Sequence, residues 1–361
     1  MATQRLPKIF QQLTPKRLLW PALIGLGVIG LLFRKEFDAE SFLQIPWTFM
    51  SVFWIFVALL LLLLRDLAYA YRIRLLTDSW ISWKHALKVV YLWEFASAAT
   101  PSSAGGTPMA IYLLTKEKIT AGKSTAIVVL TIFIDELFFL LAIPLGYLLY
   151  RGSLLIPIAK ENSDLINAGI LHGLQLWFIV AYIVVFFYTS LLAYGLFANP
   201  QGVKRFLHRV FSLRFLKRFR RSAIVIGTDI IIASDEMKKN SLGFWLKSFA
   251  ATAISWSARL LLLNALLLAF SIHPDHLLLY FRQIVMWLIA LVSPTPGGSG
   301  LAELSFTAFL SDLTPSGLIA AIILIWRFLT YYIYLFIGIL LLQYWISEKF
   351  LLRKKGEMSH K

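Results

Sequence analysis

Ionisable side chains stand inside long apolar runs of this sequence, and they are the first candidates for chemistry. Asp135 and Glu136 lie about 11 residues into the run Ser124–Tyr150, and Arg327 lies 11 residues into the run Ser316–Ile346. Charged groups in hydrocarbon are costly, so they are usually paired or exposed to a cavity. One arginine beside two adjacent carboxylates predicts a fixed salt bridge between helices. The alternative is a gate or a proton-linked pair near the midplane.

Two glycine-rich stretches interrupt apolar runs. They read TPSSAGGTPMA, from Thr100 to Ala110, and SPTPGGSGLAE, from Ser293 to Glu303. A helix that starts after such a turn presents free N–H groups and a positive dipole end, which suit an anionic group such as a phosphate. We therefore expect ligand contacts from these six residues of the two stretches: Gly105, Gly106, Thr107, Gly297, Gly298 and Ser299.

Four further polar residues stand at apolar depth. Glu303 falls in the first turn after the second glycine pair, where it either caps the helix or serves as a cavity residue or proton carrier. Arg259 is a candidate for a lipid phosphate, because a guanidinium binds phosphate with two hydrogen bonds. Glu94 and Asn264 are read as structural hydrogen-bonding residues, with ligand contact as the alternative.

The composition indicates what must position these residues. The chain has 361 residues, 59% of them hydrophobic, with a mean hydropathy of +0.73. Several runs approach the roughly 20 residues that cross a bilayer, so we predict an all-α polytopic membrane protein. The absence of cysteine excludes disulfides and thiolate metal sites. The net charge of +16 sits in loops that flank the membrane, which argues against nucleic acid as a partner.

The hydropathy pattern predicts six full spans and two broken segments. The broken segments are residues 86–115 and 277–310. The predicted spans are Leu18–Phe33, Pro46–Leu64, Ser124–Tyr150, Gly169–Ala198, Phe244–Phe270 and Ser316–Ile346.

Loop charge predicts the orientation of these spans. Lysine and arginine favour the cytoplasmic side. Both termini, the loop after Leu64 that contains Arg65 and Arg72, and the basic loop 199–243 are therefore expected there. Both ends of 86–115 then lie inside and both ends of 277–310 lie outside. Each broken segment is therefore predicted to enter the membrane and return, the two from opposite faces.

The two halves of the chain match at an offset of 192 residues. The offset that places Gly105 on Gly297 also places Asp135 on Arg327. Residues 18–150 and 169–346 then form one single-domain inverted repeat, the plan of many transporters. The alternative is coincidence between two glycine- and proline-rich loops.

The segment Val203–Arg221 carries eight basic residues and no acid. Its apolar residues follow helical spacing, so it is read as an amphipathic helix on the cytoplasmic leaflet, or as a loop that only sets topology. His273 and His276 could together bind a metal, but we predict neither metal nor cofactor. The sequence lacks a G-x-S-x-G elbow and a Walker loop.

Two motifs resemble a known family. PTPGGSGLAE followed by IWRFLTYYIYLFIGIL, together with TPSSAGGTPMAIYLLTKEKI, is similar to the membrane domain of the lysylphosphatidylglycerol synthase/flippase family. The resemblance implies a polytopic protein of the bacterial inner membrane that translocates lipid. The chain ends at Lys361 without an aminoacyl-transferase domain, so we expect no lipid lysylation. The region TIFIDELFF also lacks an arginine that many relatives carry there.

These observations together predict a transporter-like protein. Its cargo is expected to be an anionic phospholipid or a lipid-linked amphiphile, moved between leaflets. One alternative is a lipid-modifying enzyme that uses Glu303 or Asp135 as a base. The other is a scaffold for a separate lipid synthase.

Overall fold

The computed structural model describes residues 43, 47–100, 106–150, 165–213, 220–237, 240–291, 295 and 297–342. All regular structure in these ranges is helical, which confirms the prediction of an all-α protein. The helices are α1 (Phe49–Leu76), α2 (Trp83–Ala99), α3 (Thr107–Lys116), α4 (Ala121–Tyr150), α5 (Leu165–Ala193), α6 (Pro200–Val210), α7 (Arg220–Met237), α8 (Leu242–Ala269), α9 (His276–Leu291), α10 (Leu301–Leu310) and α11 (Ile319–Arg327). A π-helical turn, Tyr194–Ala198, extends α5, and another, Phe328–Tyr332, extends α11 in a helix that runs to Leu342.

Within the described part, five helices are long and apolar enough to cross a membrane. They are Phe49–Leu76, Ala121–Tyr150, His172–Ala198, Leu242–Ala269 and Ile319–Leu342. They correspond to five of the six predicted spans, while Leu18–Phe33 lies outside the described residues. Large apolar side chains cover the exposed faces of α1 and α5, as expected for surfaces that face lipid.

The second predicted span was too short. Helix α1 does not end at Leu64 but continues to Leu76. Arg65, Asp66 and Arg72 are buried in this extension, where they have ionic partners. The prediction that Arg65 and Arg72 lie in a cytoplasmic loop is therefore wrong. Their charges are neutralised by carboxylates inside the protein, so the helix can continue through them.

Helices α1 and α8 pack antiparallel along most of their lengths. Trp47, just before α1, meets Phe270, just after α8, with ring centroids 5.8 Å apart. Further along, Ser255 Oγ donates to the carbonyl oxygen of Arg65 at 3.0 Å, and Arg72 Nη1 donates to Thr252 Oγ1 at 2.6 Å. The end of α1 is therefore at the start of α8.

Each broken segment forms a pair of short helices whose outer ends meet. In the first pair, α2 and α3, Trp80 Nε1 donates to the carbonyl oxygen of Glu117 at 3.0 Å. In the second pair, α9 and α10, Arg282 donates to the carbonyl oxygen of Phe309 at 2.9 Å and contacts Asp312.

Helix α4 connects the outer ends of the two pairs. Near its start, Lys123 forms an ion pair with Asp78 beside the first pair, and its last residue, Tyr150, donates to Asp275 beside the second. The helix between them is 30 residues long, about 44 Å at 1.5 Å per residue. The outer ends of the two pairs therefore lie near opposite ends of α4.

The segment 203–221 is not a single helix lying on a leaflet. Helix α6 ends at Val210, and α7 begins at Arg220. Val203 and Leu207 are buried in the protein core with residues of α4 and α7, so the apolar face of α6 packs on protein. The basic residues Arg205 and Arg209 remain exposed on its other face.

Candidate functional site

A cavity of about 400 Å³ lies in the middle of the bundle, between the tips of the two helix pairs. It is lined by ionic side chains from α1, α2, α4 and α8 and by tryptophans. Its principal lining residues are Arg65, Arg72, Trp93, Glu94, Thr107, Asp135, Glu136, Tyr188, Trp256, Arg259, Trp287, Gly297, Gly298, Arg327, Thr330 and Tyr331.

Asp135 lies near the middle of α4 and pairs with Arg72 of α1. Arg72 Nη1 and Nη2 donate to the two carboxylate oxygens at 2.5 and 3.1 Å, a two-pronged contact. Trp256 Nε1 donates to the same carboxylate at 2.8 Å. The predicted pairing of Asp135 with Arg327 is wrong, since Asp135 is neutralised by a residue that the charge count had placed in a loop.

A second network joins α1, α2 and α8. Arg65 donates to Asp66 at 2.6 Å and to Glu94. The other oxygen of Glu94 lies 3.6 Å from Nη1 of Arg259. Tyr334 donates its hydroxyl hydrogen to Asp66 at 2.8 Å. Glu94 is therefore both a structural partner of two arginines and a lining residue of the cavity.

Arg259 is the arginine of this cavity with the loosest ionic contact. Its guanidinium lies over the ring of Trp287 at 4.3 Å and donates to the carbonyl oxygen of Thr330 at 3.2 Å. Its carboxylate partner, Glu94, is shared with Arg65. A weakly held, planar cation on an aromatic face is suited to exchange one anion for another.

Arg327 pairs with Glu303 at the tip of the second helix pair. Arg327 Nε lies 2.8 Å from Glu303 Oε1, and Gly300 N–H donates to Glu303 Oε2 at 2.6 Å. Arg327 also donates to Ser299 Oγ at 3.2 Å. Glu303 thus caps α10, as one of the two interpretations predicted, and is at the same time the counter-ion of Arg327.

The second glycine tip has a backbone that favours glycine. Gly297, Gly298 and Gly300 have φ of +57°, +66° and +87°, and α10 starts at Leu301 rather than near Ser299. Gly297 leaves no room for a Cβ, which would collide with the ring of Tyr331. Both Gly297 and Gly298 line the cavity, whereas Ser299 is buried against Arg327.

At the turn between α2 and α3, which we call the first tip, Gly106 is closely surrounded by other atoms but does not have a positive φ. Gly106 has φ −73°, and a Cβ there would collide with Ser97 and Trp93. Thr107 begins α3 and lines the cavity, while Gly105 lies outside the described residues. Tyr331 joins the two tips, because its hydroxyl donates to the carbonyl oxygen of Ala98 at 3.1 Å while its ring lies against Gly297.

Glu136 stands apart from the paired acids. It is 8% exposed and lines the cavity, and its fully buried Oε2 accepts no hydrogen bond. The prediction that it shares Arg327 with Asp135 is wrong, since Arg327 lies at Glu303.

Eight of the candidate residues named from the sequence line this cavity, whereas two of its arginines, Arg65 and Arg72, were not among the candidates. Arg65 and Arg72 were missed because their positive charges were assigned to a loop. The signal that could have identified them is the continuing run of alanine, leucine and tyrosine from Leu67 to Leu76. Asn264 contacts His276 at 3.0 Å and does not line the cavity.

Comparison with known proteins agrees with the resemblance noted in the motifs. Residues 18–338 match the family described as lysylphosphatidylglycerol synthase TM region. A UPF0104 membrane protein of Archaeoglobus fulgidus is 25% identical over 352 residues, which cover 91% of this chain and 97% of that protein. No solved structure matches the chain.

Proposed function

Since the chain belongs to the lysylphosphatidylglycerol synthase transmembrane-region family, we propose that it translocates an anionic phospholipid or lipid-linked amphiphile between membrane leaflets. The observation that carries this proposal is the central cavity of about 400 Å³, where four arginines and three tryptophans line the interior of a bundle of membrane-length helices. Arginine in that setting is expensive unless it serves a substrate or a fixed partner.

The cavity volume suits a head group. Pockets for small molecules measure roughly 300–1,000 Å³. A phosphate with its attached glycerol or sugar fits this space, while the acyl chains remain in the lipid beside the helices. The guanidinium of Arg259 offers the head group two parallel donors, and the indole rings of Trp256 and Trp287 beside it offer apolar contact.

In this proposal an anionic head group binds by replacing a carboxylate as the partner of an arginine. Each arginine of the cavity already holds a carboxylate, and the longest of these contacts is the 3.6 Å between Arg259 and Glu94. A phosphate that takes Arg259 leaves Glu94 with Arg65 as its remaining partner. The proposed binding site is therefore Arg259 with Gly297 and Gly298, flanked by Arg327.

The arrangement of helices supports a transport cycle of alternating access. The order of one long helix, two short helices and one long helix occurs from α1 to α4 and again from α8 to the helix that ends at Leu342. Because α1 and α8 are antiparallel, we interpret the halves as an inverted repeat and the short pairs as re-entrant hairpins. Transporters built this way bind near the midplane and rock one repeat against the other. We place the protein in the cytoplasmic membrane, with the basic 199–243 region and both termini inside.

Reconstitution tests the proposal. The protein in liposomes with head-group-labelled phosphatidylglycerol should expose the inner-leaflet label to an impermeant quencher faster than protein-free liposomes do. Arg259→Gln should lose most of this activity. Arg221→Gln, which removes the same charge from an exposed position of α7, should keep it.

The same samples separate the alternatives. A new lipid species in mass spectra after incubation would favour the enzyme. Folded protein that neither flips nor modifies any lipid class tested would contradict translocation and favour the scaffold.

A further inference from the structure

Asp135 and Glu136 are adjacent carboxyl groups of α4 that differ in their hydrogen-bond and ionic partners. Asp135 accepts hydrogen bonds from Nη1 and Nη2 of Arg72 and from the indole N–H of Trp256. Among the residues that the structure describes, Glu136 borders the same cavity without an ionic partner, and its Oε2 is buried without a hydrogen bond. The pair therefore contains one carboxylate that is fixed and one that is not.

Within the described part of the chain, the charged and titratable groups around Glu136 include no arginine or lysine paired with it. Tyr188 of α5 interacts with it electrostatically, as does Asp135 on its own helix. From α1 and α8, Arg65, Arg72 and Arg259 line the cavity, but each is paired with another carboxylate. In the described parts of α3, α7 and α9, no titratable side chain lines the cavity.

The remaining charges of the site cancel. Arg65, Arg72, Arg259 and Arg327 are balanced by four carboxylates in contact with them, namely Asp66, Glu94, Asp135 and Glu303. Among the described residues, an ionised Glu136, which is 8% exposed, then adds one uncompensated negative charge to the site. An isolated buried carboxylate is so costly that the group binds a proton instead.

Binding of an anionic head group further favours the protonated form of Glu136. Two negative charges a few ångströms apart in a partly buried site repel each other, and less water is present there to screen them. If Glu136 has bound a proton, the head group meets a balanced site. If Glu136 is ionised, its negative charge repels the head group.

We propose that Glu136 is the coupling group of the transporter: it holds one proton while it is buried beside the cavity, and it releases that proton on the side of the membrane where the anionic head group leaves. This proposal rests on the proposed function for its second half. The first half, protonation of the Glu136 carboxyl group beside the cavity, does not depend on transport and can be tested alone.

Infrared spectroscopy of the purified protein tests the proton directly. A C=O stretching band of a protonated carboxylic acid should be present in the folded protein at neutral pH and should disappear in Glu136→Gln. Glu117→Gln, the same chemical change at a site where the acid pairs with His85, should keep the band. A band unchanged by Glu136→Gln, or absent from the folded wild-type protein, would overturn the proposal whatever the transport assay gives.

Transport in liposomes with an imposed pH difference tests the coupling. The wild-type protein and Glu117→Gln should flip labelled phosphatidylglycerol at rates that change when the pH difference is reversed. Glu136→Gln should flip at one rate in both directions, because its amide is neutral at every pH. Rates of the wild-type protein that ignore the pH difference would refute coupling while leaving translocation intact. Loss of all flipping by the wild-type protein would instead contradict the proposed function, and the infrared result would then decide protonation.

Discussion

Arg72 is 1% exposed, and its charge is tolerated because Asp135 takes two of its hydrogen bonds and Thr252 another. Its position 63 residues before Asp135 explains why the pairing could not be predicted from sequence. Charge alone gives no partner, and several arrangements of the same ions satisfy the same count. By contrast, the capping of α10 by Glu303 was predictable, since it depends on a spacing of three residues.

Asp135→Asn should destabilise the protein strongly. The substitution leaves the guanidinium of Arg72 buried without a counter-ion, and breaking a buried pair in this way costs about 3–5 kcal/mol. Arg72→Gln combined with Asp135→Asn should recover much of that loss, because no charge is left unpaired. Thermal unfolding in detergent measures all three variants, and additive losses in the double variant would contradict the pairing.

Gly297→Ala should destabilise the tip of the second helix pair. A residue other than glycine at φ +57° costs about 1–2 kcal/mol, and the new methyl group also meets the ring of Tyr331. Gly243→Ala is the matched control, because it sits in an exposed first turn of α8 where the nearest atom is 3.7 Å away. A thermal midpoint for Gly297→Ala equal to that of the control would show that this backbone tolerates a side chain.

At the scale of elements, the existence of most helices was predictable but their ends were not. Hydrophobic runs predicted both helix pairs, and glycine and proline predicted where each pair turns. The extension of α1 beyond Leu64 depends on ion pairs with α2 and α4, which are contacts between elements. The same is true of α6, whose apolar face suits either lipid or the protein surface on which it packs.

Helix α2 packs closely on the helix that runs from α11 to Leu342, and Gly338 makes this contact possible. A Cβ at Gly338 would collide with the ring of Phe95, which is fully buried. Gly338→Ala should therefore lower the thermal midpoint by several degrees, in line with about 1–3 kcal/mol for overpacking. Gly173→Ala, with no atom within 4 Å, should leave the midpoint unchanged or raise it. Partial recovery by adding Phe95→Leu would assign the loss to this contact.

At the scale of the whole molecule, the arrangement of the two helix pairs predicts which residues share a side of the membrane. The chain has no natural cysteine, so single cysteines report cleanly. Cysteines at Trp80 and Glu117 should react with an impermeant maleimide from one side, and cysteines at Asp275 and Asp312 from the other. A cysteine at Phe187, 67% exposed on α5, should resist the reagent because lipid covers it. Labelling of positions 80 and 117 from different sides would exclude a hairpin.

The balance of four arginines against four carboxylates in the cavity has an electrical consequence. A singly charged head group accompanied by one proton crosses with no net charge, so a membrane voltage neither drives nor retards it. In Glu136→Gln the head group crosses without the proton, and each 100 mV then contributes about 2.3 kcal/mol for one elementary charge. A potassium diffusion voltage set with valinomycin should leave flipping by the wild-type protein unchanged and bias flipping by the variant. The protein as found in the cell would then work equally well in energised and de-energised membranes of the same pH.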